Sequence, residues 1–128
     1  MKTRIIIADD HTIIREGLKT LLEANGMDVI GIARNGREAI ALSVSQMPDI
    51  VMMDISMPDL NGVDATAAIM KKVPGIKIIA LSMHSHKDII DNMFAAGACG
   101  YILKADAFGE ICDAIHVVKN GRFYLTPS

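Results

Sequence analysis

The feature that most constrains the fold of this chain is a short apolar segment, rich in β-branched residues, that recurs five times. The five segments are Arg4–Asp9, Met27–Ala33, Asp49–Asp54, Ile76–Ser82 and Cys99–Leu103. Apolar residues follow one another within each segment instead of alternating with polar ones. This pattern is typical of strands that are covered on both faces of a sheet.

The stretches between these segments carry helix start and stop signals. Asn35, Asn61 and Ser85 each stand three residues before an acidic residue, which is the pattern of a helix N-terminal cap. Stop signals follow at Asn25-Gly26, Pro74-Gly75, Gly97 and Asn120-Gly121. Strand and helix are therefore predicted to alternate five times.

This alternation predicts an α/β fold with a parallel sheet and right-handed crossovers. The length of 128 residues fits one domain. Of the two common doubly wound arrangements, five strands fit the flavodoxin-like one better than the Rossmann one. We therefore expect a (βα)5 fold with a five-stranded parallel sheet in the order 2-1-3-4-5, and a ligand site at the carboxyl ends of the strands.

Composition narrows the function. The formal net charge is -2 and no basic block is present, which argues against a nucleic-acid surface in this chain. No apolar run reaches membrane-spanning length, and no signal-like stretch opens the sequence. Cys99 and Cys112 form no CxxC pair, so we expect reduced thiols in a cytoplasmic protein.

Polar residues stand where the predicted strands end. Asp9 and Asp10 follow the first strand, Asp54 ends the third, Ser82 ends the fourth and Lys104 follows the fifth. Strands one and three are neighbours in the predicted order, so three carboxylates should converge and repel one another. A hard divalent cation relieves this repulsion, and Mg²⁺ favours one or two carboxylates together with water and phosphate oxygens.

This set of residues suits phosphoryl transfer, in which cations neutralise the phosphoryl oxygens while a nucleophile approaches in line. A carboxylate can be that nucleophile and form an aspartyl phosphate. Asp54 is the best candidate, with Asp9 and Asp10 as metal ligands. Each aspartate taken alone could equally be a helix cap, so the prediction depends on all of these residues occurring together.

The chain resembles the receiver domain of two-component response regulators from Thr3 to about Leu125. The matching motifs are Ile7-Ala8-Asp9-Asp10, the stretch from Val51 to Pro58, Asn61-Gly62, Ala80-Leu81-Ser82 and Gly100-Tyr101-Ile102-Leu103-Lys104. Each motif alone is weak, but their order and spacing together are very specific.

The resemblance implies a role for each matching residue at the site. Asp54 is expected to be phosphorylated by a sensor histidine kinase. Asp9, Asp10, Asp54 and the backbone carbonyl of Ser56 are expected to bind Mg²⁺, and no other cofactor is expected. Lys104 is expected to contact the phosphoryl oxygens.

The resemblance also implies a conformational switch. Ser82 is expected to contact the phosphoryl oxygens and to move toward them, and Tyr101 is then expected to occupy the space that Ser82 leaves. The face made by the fourth helix, fifth strand and fifth helix would change shape and could support a homodimer.

Residues 100–101 and 120–125 are similar to the NarL/FixJ (LuxR-type) subgroup, whose members usually continue into a helix-turn-helix domain. The expected domain plan is a receiver over 1–122 and the start of a linker over 123–128, with DNA bound only by a domain absent from this chain. A stand-alone receiver that acts through protein contacts is the alternative. In either case the domain would signal, promoting only its own phosphorylation and dephosphorylation.

Two other functions fit less well. A phosphatase of the haloacid dehalogenase type normally carries a second Asp two residues after its nucleophile, where this chain has Ser56, and it needs a cap domain. A flavodoxin-like electron carrier needs a phosphate-binding loop after the first strand. Here that stretch reads Asp9-Asp10-His11-Thr12, which would repel a flavin phosphate.

Two local expectations remain. Many receivers have a cis proline after the lysine, but here Ala105 follows Lys104. Because a cis peptide without proline costs about 2.5–4 kcal/mol, we expect this bond to be trans. His84 and His86 have no third nitrogen or sulfur ligand nearby in sequence, so we expect no transition-metal site there.

Overall fold

The computed structural model describes residues 2–126, in which strands and helices alternate. The strands are β1 (Arg4–Ala8), β2 (Asp28–Ala33), β3 (Ile50–Asp54), β4 (Lys77–Ser82), β5 (Gly100–Leu103) and β6 (Tyr124–Leu125). The helices are α1 (Thr12–Ala24), α2 (Gly36–Gln46), α3 (Gly62–Lys72), α4 (Lys87–Ala96) and α5 (Ala107–Lys119). No helix within residues 2–126 is long and apolar enough to cross a bilayer.

All strand pairs are parallel, and the sheet order is β2-β1-β3-β4-β5-β6. The predicted flavodoxin-like order of the first five strands is confirmed. The prediction of only five strands was wrong, because Tyr124 and Leu125 pair with Gly100 and Tyr101 to add a sixth. The segment predicted as a linker, 123–128, therefore contains two residues of the sheet, Tyr124 and Leu125. Its last two residues, 127 and 128, lie outside the described part of the chain.

Helices cover both faces of the sheet, as the apolar strands predict. Successive strand residues belong to opposite cores: Ile6 and Met53 pack in one, and Ile7 and Met52 in the other. Helices α2, α3 and α4 line the first core, and α1 and α5 line the second. Because both faces of the central strands are dry, polar groups of the strands are concentrated at their ends.

Two of the three predicted helix caps are confirmed. The side chain of Asn35 accepts a hydrogen bond from the backbone N–H of Glu38, and that of Asn61 accepts one from Asp64, both at 2.9 Å. The third prediction was wrong. Helix α4 is preceded by His86, not Ser85, and His86 makes no side-chain cap hydrogen bond.

Gly62 holds the loop after β3 close to the strand end. A Cβ atom at Gly62 would overlap the backbone carbonyl oxygen of Asp54 and the Cα atom of Ile55. A Cβ atom at Gly36 would overlap the carbonyl oxygen of Leu60 on the other side of the same loop. The loop that carries Ser56 is thus fixed between β3 and the start of α2.

Candidate functional site

The carboxyl ends of β1 and β3 bring Asp9 and Asp54 together. Ala8 pairs with Met53, so Asp9 and Asp54 are the next residues along two adjacent parallel strands. Both are buried, with relative exposures of 0% and 1%. Two carboxylates therefore stand side by side in a place that water barely reaches, which raises the free energy of the ionised pair.

Lys104 supplies the positive charge between these carboxylates. Its Nζ lies 2.9 Å from Oδ2 of Asp54, to which it donates a hydrogen bond, and 3.1 Å from Oδ2 of Asp9. Lys104 is itself buried, at 4% exposure. Buried charges persist when they are paired in this way, so the three residues form one electrostatic unit.

The environment of Asp54 raises the pKa of its carboxyl. Burial raises the pKa of this carboxyl above its ordinary value, and the neighbouring Asp9 carboxylate raises it further. The hydrogen bond from Lys104 and that from the backbone N–H of Ser56 to Oδ1, at 3.0 Å, lower the pKa in part. The net direction is upward, because desolvation is the largest effect.

Asp10 is the most open of the three aspartates, with its side chain 34% exposed. Between Asp10 and the buried pair lies the ring of His11, which was not predicted as a site residue. Its Nδ1 is 3.1 Å from Asp9 Oδ1, 3.3 Å from Asp10 Oδ1 and 3.7 Å from Asp54 Oδ2. One signal was available in the sequence: His11 follows the acidic strand end directly, at the start of α1.

These side chains fit a divalent cation. One ligand atom from each of Asp9, Asp10, His11 and Asp54 can be chosen so that all lie within 4.8 Å of one another. In addition, Oδ2 of Asp9 is buried without an aligned hydrogen bond, although Lys104 lies close enough for an ion pair. An unsatisfied buried carboxylate oxygen in an acidic cluster is the kind of atom that a metal ion would complete.

Ser82 lies at the same edge of the sheet. Leu81 pairs with Asp54, so Ser82 is one residue beyond the end of β3 on the adjacent strand. It is 2% exposed, and its Oγ accepts a hydrogen bond from the backbone N–H of His84 at 3.0 Å. Ser82 and Lys104 also line one open pocket beside the acidic cluster.

Tyr101 is already in a buried position. It is 1% exposed, and its hydroxyl donates a hydrogen bond to the backbone carbonyl of His84 at 2.6 Å. Burial raises the pKa of the Tyr101 hydroxyl, and the nearby Ser82 hydroxyl offsets part of that rise. Tyr101 was expected to move inward on phosphorylation. In this structure its side chain is already in the inward position.

The Lys104–Ala105 peptide bond is trans, as predicted, since no cis bond occurs within residues 2–126. Lys104 opens a short 3-10 turn that ends at Asp106 and leads directly into α5. The turn lets the lysine side chain point back toward Asp9 and Asp54 across the ends of the intervening strands.

The arrangement can accept an electrophile with several negative oxygens. A buried carboxylate is available to form a bond, an ammonium stands beside it to neutralise charge, and a cation-binding cluster lies on the same side. These are the parts required for transfer of a phosphoryl group to Asp54.

Comparisons with known proteins identify the family of this chain. Residues 5–116 match the family described as the response regulator receiver domain. The chain is 41% identical over 125 residues to the transcriptional regulatory protein LnrK of Bacillus subtilis (strain 168), covering 97% of this chain and 57% of that protein. It is 35% identical over 127 residues to the transcriptional regulatory protein DegU of Brevibacillus brevis, covering 98% of this chain and 54% of that protein.

A solved structure is similar over nearly the whole chain. It is a two-component response regulator of the LuxR family from Aurantimonas sp. SI85-9A1, with a TM-score of 0.94, 34% sequence identity, and coverage of 99% of this chain and 91% of that one. By contrast, this chain spans only about half the length of the curated relatives it matches.

Proposed function

The chain belongs to the response regulator receiver family, in its NarL/FixJ (LuxR-type) subgroup, and from that premise we propose that Asp54 is the residue that accepts the phosphoryl group. One observation carries the proposal. Asp54 ends a central strand, is 1% exposed, and accepts a hydrogen bond from the buried ammonium of Lys104. Receiver domains are signalling domains, and the reaction proposed here is the modification of the domain itself.

In the proposed reaction a carboxylate oxygen of Asp54 attacks the phosphorus atom of a phosphorylated donor. A new O–P bond forms, the donor's bond to phosphorus breaks, and the leaving group keeps the electron pair of that bond. Lys104 shifts from its ion pairs with the carboxylates to the phosphoryl oxygens. The backbone N–H of Ser56, already 3.0 Å from Oδ1 of Asp54, orients the nucleophile.

Asp9, Asp10 and Asp54, with the backbone carbonyl of Ser56, are the proposed ligands of Mg²⁺. When bound, the ion supplies positive charge that neutralises the carboxylates and the incoming phosphoryl oxygens. The buried and unsatisfied Oδ2 of Asp9 supports this proposal, as does the convergence of the acidic side chains.

Ser82 and Tyr101 are proposed to pass the change at Asp54 to the rest of the domain. The Ser82 hydroxyl would leave the backbone N–H of His84 and donate to a phosphoryl oxygen. Tyr101 hydrogen-bonds to the carbonyl of that same residue, so the loop after β4 connects the two side chains. In the unphosphorylated protein the buried position of Tyr101 would be one of two populated states, which phosphorylation favours.

The proposed output of the whole protein is transcription, because both relatives are transcriptional regulatory proteins. We propose that a sensor histidine kinase is the donor and that a helix-turn-helix domain carries the output. A homodimer through the face of α4, β5 and α5 is proposed as the phosphorylated form, and a stand-alone receiver stays the alternative. The cytoplasmic location expected from the sequence is part of the same proposal.

The test is phosphorylation by acetyl phosphate in the presence of Mg²⁺, followed by intact mass spectrometry. We expect the wild-type chain to gain the mass of one phosphoryl group and Asp54→Asn to gain none, because an amide is a far poorer nucleophile than a carboxylate. Chelation of Mg²⁺ should reduce the wild-type signal.

Asp59→Asn is the matched control, since Asp59 lies in the loop after β3 but is exposed and paired with Arg37. It should accept phosphate like the wild type. Equal phosphorylation of the wild type and Asp54→Asn would disprove the assignment of the acceptor.

A further inference from the structure

The imidazole of His11 occupies the centre of the acidic cluster. Its Nδ1 is 3.1 Å from Asp9 Oδ1, 3.3 Å from Asp10 Oδ1, 3.7 Å from Asp54 Oδ2 and 2.8 Å from Lys104 Nζ. Four charged side chains thus surround one ring nitrogen. The ring is also half open to solvent, since 54% of the side chain is exposed.

The ring nitrogen contacts groups of both signs. Asp9 Oδ1 can only accept a hydrogen bond, so it pairs with Nδ1 in the form of the ring that carries a proton on Nδ1. The Lys104 ammonium can only donate, so it pairs with Nδ1 in the tautomer whose proton is on Nε2. That second tautomer has an Nδ1 lone pair, which can bind a metal cation in place of the contact with Lys104.

The distances are those of neighbouring ligands around one ion. At metal–ligand bonds of about 2.0–2.2 Å, adjacent ligand atoms of an octahedron lie roughly 3 Å apart. The separations of Nδ1 from Asp9 Oδ1 and Asp10 Oδ1 are already close to this value. The distance from Nδ1 to Asp54 Oδ2, 3.7 Å, lies between the distance expected for adjacent ligand atoms of an octahedron and that expected for opposite ones.

The local backbone supports a ligand role over a capping role. His11 stands at the N-cap position of α1, but its side chain makes no cap hydrogen bond there. Its backbone N–H is instead bound to Asp9 Oδ1 at 2.7 Å, which fixes the residue against the acidic strand end. Oδ2 of Asp9 is buried without an aligned hydrogen bond, which is a second observation that fits a cation in the same cluster.

We propose that Nδ1 of His11 is a direct ligand of the divalent cation bound by Asp9, Asp10 and Asp54, so that this site favours Mn²⁺ and similar transition cations over Mg²⁺. The inference rests on the proposed metal site. A nitrogen ligand matters for selectivity because Mg²⁺ prefers oxygen ligands, whereas imidazole suits first-row transition cations. On metal binding, Lys104 gives up its bond to Nδ1 and keeps its bond to Asp54.

Pulsed electron paramagnetic resonance of the Mn²⁺-loaded chain tests the bond directly. Wild-type protein should show a strong ¹⁴N coupling to Mn²⁺, and selective ¹⁵N labelling of histidine should change that coupling. His11→Asn should lose it. His116→Asn should keep it, because His116 is an exposed histidine in the last turn of α5.

Calorimetric titration with Mn²⁺ and with Mg²⁺ supplies a second readout. We expect His11→Asn to lose the preference for Mn²⁺ over Mg²⁺ by roughly tenfold, the lower end of the loss seen when a partner of a metal ligand is removed. His116→Asn should leave the ratio unchanged.

Mn²⁺ that binds in an Asp54-dependent way without histidine coupling would overturn the role of His11 and leave the proposed function standing. An increase in Mg²⁺ affinity in His11→Asn would also overturn it, because that result means that the ring competes with the cation. If neither ion binds, the proposed metal site itself is wrong. Phosphorylation of Asp54 is a separate measurement and tests the proposed function.

Discussion

At the scale of single residues, the site holds more buried negative charge than buried positive charge. Asp9 and Asp54 are buried carboxylates, and Lys104 is the buried cation that pairs with both. Buried ions lose hydration, and their mutual attraction often fails to offset that loss. A site of this kind is expected to reduce folding stability in return for its chemistry.

The raised pKa of Asp54 leads to a prediction about stability and pH. The folded state binds a proton at Asp54 more readily than the unfolded state, whose pKa is near the ordinary 3.8. The free energy of unfolding therefore falls as the pH rises from that value through the folded-state pKa. At neutral pH the ionised carboxylate of Asp54 lowers the folding stability. Asp54→Asn should be more stable than the wild type at pH 7, and this advantage should shrink on acidification.

Urea unfolding followed by circular dichroism from pH 7 down to pH 4 measures this difference. Asp113→Asn is the control, because Asp113 is an exposed carboxyl on α5, and its stability should follow that of the wild type. The prediction fails if Asp54→Asn is less stable than the wild type at pH 7. That result would mean that the ion pair with Lys104 outweighs the desolvation of the carboxylate.

Sequence reasoning found the residues whose position follows from the fold and missed His11, whose place in the cluster depends on the direction of its side chain. Asp9, Asp54 and Lys104 were predicted together because parallel strands end at one edge of the sheet. His11 was missed because a residue at the start of a helix is normally a cap. The buried position of Tyr101 was missed because the sequence does not reveal which of two states of a side chain is populated.

At the scale of secondary-structure elements, β6 ties the end of the described chain to the strand that carries Tyr101. The backbone N–H and the Oγ1 of Thr126 both donate hydrogen bonds to the carbonyl of Tyr101, at 2.9 and 3.1 Å. Oγ1 in turn accepts a hydrogen bond from the N–H of Leu103 at 3.1 Å. The hydroxyl of Tyr124 donates a hydrogen bond to Glu110 on α5. Burial, followed by this hydrogen bond and the charge of Glu110, raises the pKa of Tyr124 to about 12.

Thr126→Val tests this connection. Valine keeps the shape of the side chain but leaves the part-buried N–H of Leu103 without its partner. A fully buried unpaired donor costs roughly 1–3 kcal/mol, so a part-buried one should cost about 1 kcal/mol. We expect that loss in the free energy of unfolding. We also expect faster amide hydrogen exchange at Leu103, measured by NMR, since the end of β6 would open more often.

Thr20→Val is the matched control. The Thr20 hydroxyl is exposed and bonds only to a carbonyl of its own helix, that of Glu16 at 3.0 Å. This change should alter stability by no more than about 0.5 kcal/mol. Equal losses in the two variants, or unchanged exchange at Leu103, would show that β6 is not held by Thr126.

Sequence patterns predicted the long elements well and the short one not at all. Five strands and five helices were expected because each has enough residues to display a run or a period. A strand of two residues, such as Tyr124–Leu125, has neither. The cap at Ser85 was wrong because the chain after β4 continues to His86 before α4 begins.

At the scale of the whole molecule, the site exists only when the sheet is formed. Asp9 and Lys104 are far apart in sequence, and the order β1-β3-β4-β5 brings them to either side of Asp54. No single strand or helix holds more than a part of the proposed acceptor, its neighbouring ammonium and the proposed metal ligands. We therefore expect the proposed phosphorylation of Asp54 to require the folded domain.

The most direct test of this account is reduction of the phosphorylated chain with borohydride, followed by peptide mass spectrometry. Borohydride converts an aspartyl phosphate to homoserine and leaves a free aspartate unchanged, so it marks the acceptor in the chain itself. After treatment with acetyl phosphate and Mg²⁺, the folded protein should carry homoserine at position 54 alone, and urea-unfolded protein should carry none. Homoserine at Asp9, Asp10 or another aspartate, or equal labelling of the folded and unfolded chains, would contradict the account.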